Sequence, residues 1–295
     1  MMPAAETSLL RLATRGSALA RAQTLIATNA LVASGRVDVE TVVVRTEGDR
    51  KTTAPIDQLE GQGWFTAELE RSLLDGRADV AVHSGKDLPS ALAGGLSVAA
   101  YLPRADARDG VVSLDGRTLA QLPAGATVGT SSARRAGLLA ALYPSLRPVA
   151  IRGNVDTRIR KLEAGEYDAL VLACAGLDRL GLGDRCSERL DPRTFVPSPA
   201  QGAIALEAVT GSPAAERCAA VADPGTTEAV VAERAVLAAL GGGCLLPLGA
   251  WARIENERLH LVAALVQDGV VRLAEETGAM DEPAALGARV ANRLR

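Results

Sequence analysis

The sequence predicts a three-domain α/β protein, in which two α/β lobes joined by a hinge are followed by a small α+β domain. The chain has 295 residues, more than one hydrophobic core normally supports. Apolar strand-like segments alternate with helical segments along two successive stretches, which is typical of α/β lobes. Turn-forming, proline-containing breaks at 102–104 and 192–202 indicate crossings between the lobes. The expected boundaries are 1–103 with 201–222 for the first lobe, 104–200 for the second lobe and 223–295 for the C-terminal domain.

The first lobe is predicted to open with a strand at 9–13, a polar turn, and a helix from Ala18 with Ser17 as its N-cap. A second strand is expected at 39–45, and the polar, glycine-containing residues 46–63 are expected to form a loop. A helix and a buried strand then follow at 65–74 and 78–83. This βαβαβ-like order implies a parallel or mixed sheet.

The second lobe repeats the alternation. Strands are predicted at 127–129, 148–152 and 169–174, with helices beginning at Ala133 and Thr157 and another after the third strand. Residues 203–209 again read as a strand. Two such lobes joined by two crossings resemble, in architecture, the hinged type II periplasmic binding proteins.

The C-terminal domain is predicted to begin with a helix at 227–240 that ends in three glycines. Strands at 259–267 and 270–276 are joined by Asp268-Gly269, which is a typical tight hairpin turn. A last helix closes the chain. This mixture predicts a small α+β module.

Composition excludes several classes of function. The net charge is −3 and aromatic residues make up 2% of the chain, whereas nucleic-acid binders normally have a basic excess or stacking aromatics. The sequence contains no run of 18 apolar residues, which argues against a membrane span. The first residues lack the pattern of a secretory signal, so we expect a cytoplasmic protein. The lack of an obvious apolar stripe favours a monomer.

The cysteines do not form a recognisable metal or disulfide pattern, since no C-x-x-C occurs and the chain has two histidines. Cys174 lies in an apolar segment and is expected to be buried and inert. Cys186 and Cys218 lie in polar stretches that are expected at the surface, without activating neighbours. Cys244 follows the three glycines, and from the residues alone it either packs inside beyond a helix C-cap or is an accessible thiol.

Six arginines lie at predicted strand-to-helix turns, where helix N-termini and backbone N–H groups favour anions. In three repeats of one arrangement, guanidinium forks match carboxylates better than phosphate, because no nucleotide-binding glycine motif is present. Solvated surface arginines that cap loops are the alternative. The arginines are Arg11, Arg15, Arg134, Arg135, Arg152 and Arg158.

The segment HSGKDLP, residues 83–89, ends an apolar strand. Asp87 could accept hydrogen bonds from ligand N–H groups and stabilise a developing positive charge. A turn-forming role before Pro89 is the alternative. His83 is expected to be a core histidine with a hydrogen-bond partner.

Several long motifs occur together and in order: ATRGSALARAQ, ADVAVHSGKDLP, VGTSSARR, RGNVDTRIRKLEAGEYDALVLACAGLDRLG, PSPAQGA and AERAVLAALGGGC. On these motifs the chain resembles the porphobilinogen deaminase (hydroxymethylbilane synthase) family. The resemblance implies a transferase that joins four porphobilinogen units head to tail, with loss of ammonia, to give hydroxymethylbilane for haem and related tetrapyrroles. It also implies a dipyrromethane cofactor bound through a thioether to Cys244, with neither metal nor nucleotide required.

The resemblance assigns roles to individual residues, with Asp87 as the catalytic aspartate that hydrogen-bonds pyrrole N–H groups. The implied cofactor contacts, besides Cys244, are Ser84, Lys86, Thr130, Ser131, Ser132, Arg134, Arg135 and Arg158. The implied substrate contacts are Arg11, Arg15, Ser17, Arg152 and Asn154.

The chain departs from the family pattern before the helix at 65–74, where Gln58, Glu60 and Gln62 stand in place of lysines. This puts an electrostatic role of that loop in doubt but leaves the reaction unaffected. The rival hypothesis is a cytoplasmic two-lobe module that binds a polycarboxylate without covalent chemistry. An inactive family member is less favoured, because Asp87 and Cys244 are both present.

Overall fold

The structure is a computed structural model, and it describes residues 8–35, 37–45, 66–242 and 246–295. The chain forms two compact units. Unit 1 comprises Met1–Arg104 and Ala203–Thr227, and unit 2 comprises Ala105–Gly202 and Glu228–Arg295. The predicted loop at 46–63 lies outside the described residues.

Unit 1 is built on a five-stranded mixed sheet with the strand order β2-β1-β3-β10-β4. Strand β1 runs parallel to β2 and β3, whereas β10 runs antiparallel to β3 and β4. The strands are β1 (Ser8–Arg15), β2 (Val37–Val44), β3 (Val80–Ser84), β4 (Leu96–Tyr101) and β10 (Ile204–Val209). The helices are α1 (Ala18–Ala33), α2 (Ala67–Leu74) and α6 (Pro213–Ala219).

The predicted start of α1 is confirmed, because the Ser17 hydroxyl accepts a hydrogen bond from the Ala20 N–H at 3.2 Å. Strand β3 is buried on both faces over its first four residues, as expected for a central strand. The main core of this unit combines β1, β3, β10 and α1, with Leu12, Leu31 and Leu206 fully buried.

Unit 2 contains a second five-stranded mixed sheet, with the strand order β7-β6-β8-β5-β9. Strand β6 runs parallel to β7 and β8, and β5 runs antiparallel to β8 and β9. The strands are β5 (Asp109–Ser113), β6 (Thr127–Thr130), β7 (Arg147–Ala150), β8 (Ala169–Ala173) and β9 (Glu188–Arg189). The helices are α3 (Ala133–Leu142), α4 (Val155–Glu163) and α5 (Cys174–Arg179).

The two sheets have the same pattern of parallel and antiparallel neighbours, although the chain connects their strands in a different order. In each sheet three neighbouring strands are parallel, and the fourth strand is antiparallel to the neighbours on both of its sides. This confirms the predicted pair of α/β lobes. The Ser132 hydroxyl caps α3 by accepting from the Arg135 N–H at 3.4 Å.

The C-terminal part of unit 2 is an antiparallel sheet in the order β11-β12-β13, formed by Leu248–Glu255, Arg258–Gln267 and Val270–Ala279. Helices α7 (Pro224–Ala239) and α8 (Pro283–Leu294) pack on it and form a separate core with it. The predicted hairpin turn is confirmed by positive φ angles at Asp268 and Gly269, 51° and 77°. The predicted α+β module is therefore present.

Glu233 on α7 fixes this module to neighbouring backbone of unit 2. Its side chain is fully buried and accepts hydrogen bonds from the N–H groups of Ala200, at 2.6 Å, and Ala252, at 2.7 Å. The division into three domains at the predicted boundaries stays a prediction.

Several elements differ from the sequence prediction. Strand β7 ends two residues before the predicted 152, and α4 begins at Val155. Gly153 lies between them with a φ of 109°, and this positive angle interrupts the regular secondary structure. The prediction missed β4, β5, β9, β11 and α6, which are short or lie in segments without clear periodicity. Among the described residues, no helix is long and apolar enough to cross a membrane.

Candidate functional site

The predicted site residues of unit 1 lie where β1 and β3 end. These strands are parallel neighbours, with Leu12 opposite Val80 and Ala13 opposite Ala81. Their carboxyl ends therefore meet at one edge of the sheet, which is the usual ligand edge in α/β folds. Arg15 is the last residue of β1 and Ser17 follows it, while Ser84 is the last residue of β3 and is followed by Lys86 and Asp87.

Buried polar contacts stabilise the end of β3 and the turn that follows it. His83 Nε2 lies 2.9 Å from Glu207 Oε2, and both side chains are almost fully buried. The Gly85 N–H donates to the Ala203 carbonyl at 2.9 Å, and the Ser84 hydroxyl is hydrogen-bonded to Gln23. The prediction of a core histidine with a partner is confirmed.

Asp87 ends the short 3-10 turn Gly85–Asp87, and its side chain is exposed. Its carboxylate thus lies at the sheet edge, on a turn whose backbone is hydrogen-bonded to Ala203, the residue before β10. Because the group is in contact with water, its electrostatic effect on a ligand depends on the ligand displacing that water.

Arg11 lies four residues before the end of β1, and its guanidinium forms a bidentate pair with Asp79. The two N···O distances are 3.0 and 2.8 Å, and the Arg11 N–H also donates to Asp79. The hydrogen bonds from Arg11 lower the pKa of Asp79. The Arg11 guanidinium is therefore bound to Asp79, and a substrate contact for Arg11 stays a prediction.

In unit 2, the carboxyl ends of β6, β7 and β8 meet at one edge. The register places Thr130 beside Ala150, so the turns that follow β6 and β7 leave the sheet together. The first turn carries Thr130, Ser131 and Ser132, and the second carries Arg152 and Asn154 at the start of α4. The Thr130 hydroxyl accepts a hydrogen bond from the Ser132 N–H at 3.2 Å, which fixes the first turn.

Arg134 and Arg135 point into the interior from the first turn of α3. Their guanidinium groups pair with the fully buried Asp109 at 2.8 and 2.7 Å. Arg134 also donates to the Val196 carbonyl, and Arg135 to Gln201. Direct contacts of these two arginines with a cofactor stay predictions, since the structure shows them bound to protein groups.

Arg158 on α4 carries a positive charge with little compensation. Its Nε donates to the Gly153 carbonyl at 2.8 Å, and no carboxylate forms an ion pair with it among the described residues. Burial and the nearby charge of Arg135 lower the pKa of Arg158 to about 10. An anion at this position would relieve both costs.

The sequence prediction missed Arg179, a further partly buried cation in unit 2. It lies at the end of α5, the helix that follows β8, and donates to the Gly202 carbonyl at 2.6 Å. Burial lowers the pKa of Arg179 to about 10. The signal was present, since the quoted motif AGLDRLG follows the third parallel strand just as the other arginine-bearing turns follow the first two.

The cysteine predictions need two corrections. Cys218 is fully buried on α6 rather than at the surface, and burial raises its pKa to about 12. Cys186 does have an activating neighbour, because its sulfur lies beside that of Cys174. Cys174 is fully buried, as predicted. Cys244 lies outside the described residues, as do Gln58, Glu60 and Gln62.

Charge indicates which ligand the unit 2 edge can accept. Two buried arginines share the single carboxylate of Asp109, while Arg158 on the helix after β7 and Arg179 at the end of the helix after β8 add partly buried positive charge. This excess fits a ligand with several carboxylates, such as a dipyrromethane with acetate and propionate groups. Within the described ranges, no group of three or more His, Cys, Asp or Glu side chains is arranged to hold a metal ion.

Comparisons with known proteins agree with this chemistry. A family profile described as "Porphobilinogen deaminase, dipyromethane cofactor binding domain" matches residues 10–217, and "Porphobilinogen deaminase, C-terminal domain" matches 227–295. A porphobilinogen deaminase of Acidothermus cellulolyticus is 46% identical and covers 100% of this chain and 91% of its own. One of Roseiflexus castenholzii is 44% identical and covers 97% of this chain and 95% of its own.

Among solved structures, the VFT2 domain of Bordetella pertussis BvgS aligns with 72% of this chain and 86% of its own. Its TM-score is 0.44 and its sequence identity is 20%.

Proposed function

The chain belongs to the porphobilinogen deaminase family, and we propose that Asp87 and Cys244 carry its catalytic chemistry. It is a transferase that joins four porphobilinogen units head to tail, with release of ammonia, to give hydroxymethylbilane in tetrapyrrole and haem biosynthesis. The units are added to a covalently bound dipyrromethane, which acts as the primer.

The observation that supports this site best is the excess of partly buried positive charge at the strand ends of unit 2. Each porphobilinogen brings two carboxylates, so a growing chain needs several guanidinium forks. We assign Arg158, Arg152 and Asn154 to acetate and propionate groups, with Ser131 and Ser132 as hydroxyl partners. Arg179 joins this group on the strength of its burial and lowered pKa.

Arg15, Ser17, Ser84 and Lys86 form the corresponding set in unit 1. Arg15 and Lys86 supply positive charge at the edge where β1 and β3 end, and the hydroxyls supply hydrogen bonds. Arg134 and Arg135 are assigned to the cofactor because their buried positive charge would attract its carboxylates without direct contact. Thr130 is assigned to holding the turn.

Asp87 is proposed to stabilise the cation formed when ammonia leaves porphobilinogen, and to accept hydrogen bonds from pyrrole N–H groups. Two unit charges 4 Å apart attract by about 1 kcal/mol in bulk water and by about 4 kcal/mol at an effective dielectric constant of 20. The exposed carboxylate therefore gains most of its effect when substrate covers it. An exposed position also lets it exchange protons between successive additions.

Cys244 is proposed as the attachment point of the dipyrromethane. In the sequence it follows the helix α7 and three glycines, and a helix C-terminus does not lower the pKa of a nearby thiol. The driving force for the thioether would then come from an electrophilic methylene-pyrrole cation, with the glycines leaving room for it to approach the sulfur.

The test is turnover by Asp87→Asn, with Asp75→Asn as the matched control. Asp75 is an exposed aspartate of unit 1 that pairs with Arg77 at the surface. We expect Asp87→Asn to lose at least about a hundredfold in kcat, since general acid–base groups contribute about 10²–10⁴, and Asp75→Asn to retain normal turnover. The free energy of unfolding should be unchanged in both variants, because both side chains are exposed.

Intact mass supplies the second half of this experiment. Wild type purified from cells that make porphobilinogen should exceed its sequence mass by one dipyrromethane, and Cys244→Ser should lose that excess. Near-normal hydroxymethylbilane production by Asp87→Asn, or unmodified wild type, would overturn the assignments.

The polycarboxylate-binding module without covalent chemistry is not favoured, because both the cofactor-binding and the C-terminal family profiles match. The net charge of −3 and the low aromatic content favour a small-molecule substrate over nucleic acid. A cytoplasmic, monomeric enzyme that does not bind membranes stays our prediction.

A further inference from the structure

We infer that Cys174 and Cys186 form a redox-active dithiol, which a peroxide converts into an intramolecular disulfide. The porphobilinogen reaction uses neither sulfur. Cys174 is the first residue of α5, directly after β8, and Cys186 precedes β9. Both β8 and β9 pair with β5, one on each side of it.

A glycine in β5 allows the two sulfurs to meet. Gly110 lies opposite Leu172 of β8 and Arg189 of β9. A β-carbon at Gly110 would lie 2.7 Å from the sulfur of Cys186 and 3.0 Å from that of Cys174. The space that any other side chain would fill is therefore shared by the two thiols, which are both unoxidised.

The two sulfurs have different environments, and this gives them different roles. Cys186 is half-buried, and a hydrogen bond from the Cys174 thiol, together with the charge of Arg189, lowers the pKa of Cys186 to about 7. The hydrogen bond to Cys186 and burial raise the pKa of Cys174. Cys186 is thus the thiolate that reacts first, and Cys174 is the thiol that resolves it.

Ion pairs fix the position of the cation that lies beside the two sulfurs. Arg189 pairs with Asp106 at 2.6 Å and with Asp178 at 2.6 Å, so its cation is held in place beside the sulfurs. The Cys186 sulfur lies 3.1 Å from the Glu188 carbonyl oxygen, which fixes the side chain of the reduced form.

The reaction needs one equivalent of hydrogen peroxide. The Cys186 thiolate attacks one peroxide oxygen and breaks the O–O bond, which leaves a sulfenic acid, and the departing hydroxide takes up a proton to form water. The Cys174 sulfur then attacks the sulfenic sulfur, forming the S–S bond. The hydroxyl group leaves with the Cys174 proton as a second water. Two thiols lose two electrons, and the peroxide gains them.

Cys218 provides an internal comparison. It is fully buried, and its pKa is raised to about 12, so almost none of it is thiolate at neutral pH. Since the thiolate is the reactive form, we expect Cys186 to be oxidised at least about a hundredfold faster than Cys218.

The experiment treats reduced, full-length holoenzyme with hydrogen peroxide and follows intact mass and tryptic peptides without reductant. Arg179 and Arg185 lie between the two cysteines, so trypsin separates them and a linked peptide pair demonstrates the bond. Wild type and Cys218→Ser should lose two hydrogens in mass, form the Cys174–Cys186 link and recover their thiols with dithiothreitol. Cys186→Ser should form no link.

Cys174→Ser should instead accumulate a sulfenic acid at Cys186, which dimedone traps. The inference is overturned if wild type keeps both thiols, if Cys186 is oxidised beyond the sulfenic acid without forming the link, or if the bond joins either sulfur to Cys218 or Cys244. None of these readouts depends on turnover of porphobilinogen, so they are independent of the roles proposed for Asp87 and Cys244.

Discussion

Asp109 is the residue whose replacement should damage the fold of unit 2 most clearly. Its carboxylate is fully buried and binds Arg134 at 2.8 Å, Arg135 at 2.7 Å and the Gln201 amide at 2.9 Å. Asp109→Asn keeps the volume of the side chain, so no cavity contributes to the result. The change removes one negative charge and leaves two buried guanidinium groups without a counter-ion.

Removing one partner of a buried ion pair costs about 3–5 kcal/mol, because the remaining charge stays out of water. The matched control is Asp79→Asn, which removes a similar bidentate partner of Arg11. That pair is partly exposed, at 37% for the arginine and 27% for the aspartate, so its loss should cost about 1 kcal/mol or less. The difference between the two variants isolates the effect of burial.

The free energy of unfolding would be measured by urea denaturation, followed by far-UV circular dichroism. Hydrogen exchange of the amides in β5 and β8 would localise the loss to unit 2. Equal destabilisation by Asp109→Asn and Asp79→Asn, or unchanged hydrogen exchange in β5, would show that the buried ion pairs of Asp109 with Arg134 and Arg135 do not stabilise unit 2.

Two further predictions follow from the same unit. Gly110→Ala should lower the free energy of unfolding by about 1–3 kcal/mol, because its β-carbon would meet the sulfurs of Cys186 and Cys174 at 2.7 and 3.0 Å. Gly94→Ala, which meets nothing within 4 Å, should be nearly neutral, and equal urea midpoints for the two variants would refute this packing. Stability should also fall in acid: burial opposes ionisation of Asp106, but hydrogen bonds from Arg108 and Arg189 outweigh it and lower its pKa to about 2. A lowered carboxylate pKa stabilises the fold above the unfolded value of about 3.9 and loses that contribution between about pH 4 and pH 2. Asp106→Asn should flatten this part of the urea-midpoint profile, and an unchanged profile would contradict the pairing.

Local sequence signals predicted much of the architecture. Ser17 caps the helix that it was predicted to cap, α3 begins at the predicted Ala133, and Asp268-Gly269 forms the predicted hairpin turn. These features depend on neighbours within about four residues, where backbone geometry and side-chain type are sufficient. The same applies to the turns that bring Thr130 and Asp87 to strand ends.

The partners of charged residues could not be predicted in this way. Arg135 and Asp109 are 26 positions apart, Arg11 and Asp79 are 68 apart, and His83 and Glu207 are 124 apart. From the sequence, Arg11 and Arg134 are indistinguishable from Arg158, since all are arginines near strand-to-helix turns. The structure separates them, because two are paired with carboxylates and the third has none among the described residues.

The sequence by itself determined the family, the alternation of strands and helices, and the chemical types gathered at the strand ends. The tertiary structure decided which arginines are neutralised, that Cys218 is buried, and that Cys174 meets Cys186 over Gly110. The physical reason is that burial and electrostatic pairing depend on the order in which strands assemble into a sheet. In unit 2 that order places β5 between β8 and β9, next to residues far from it along the chain.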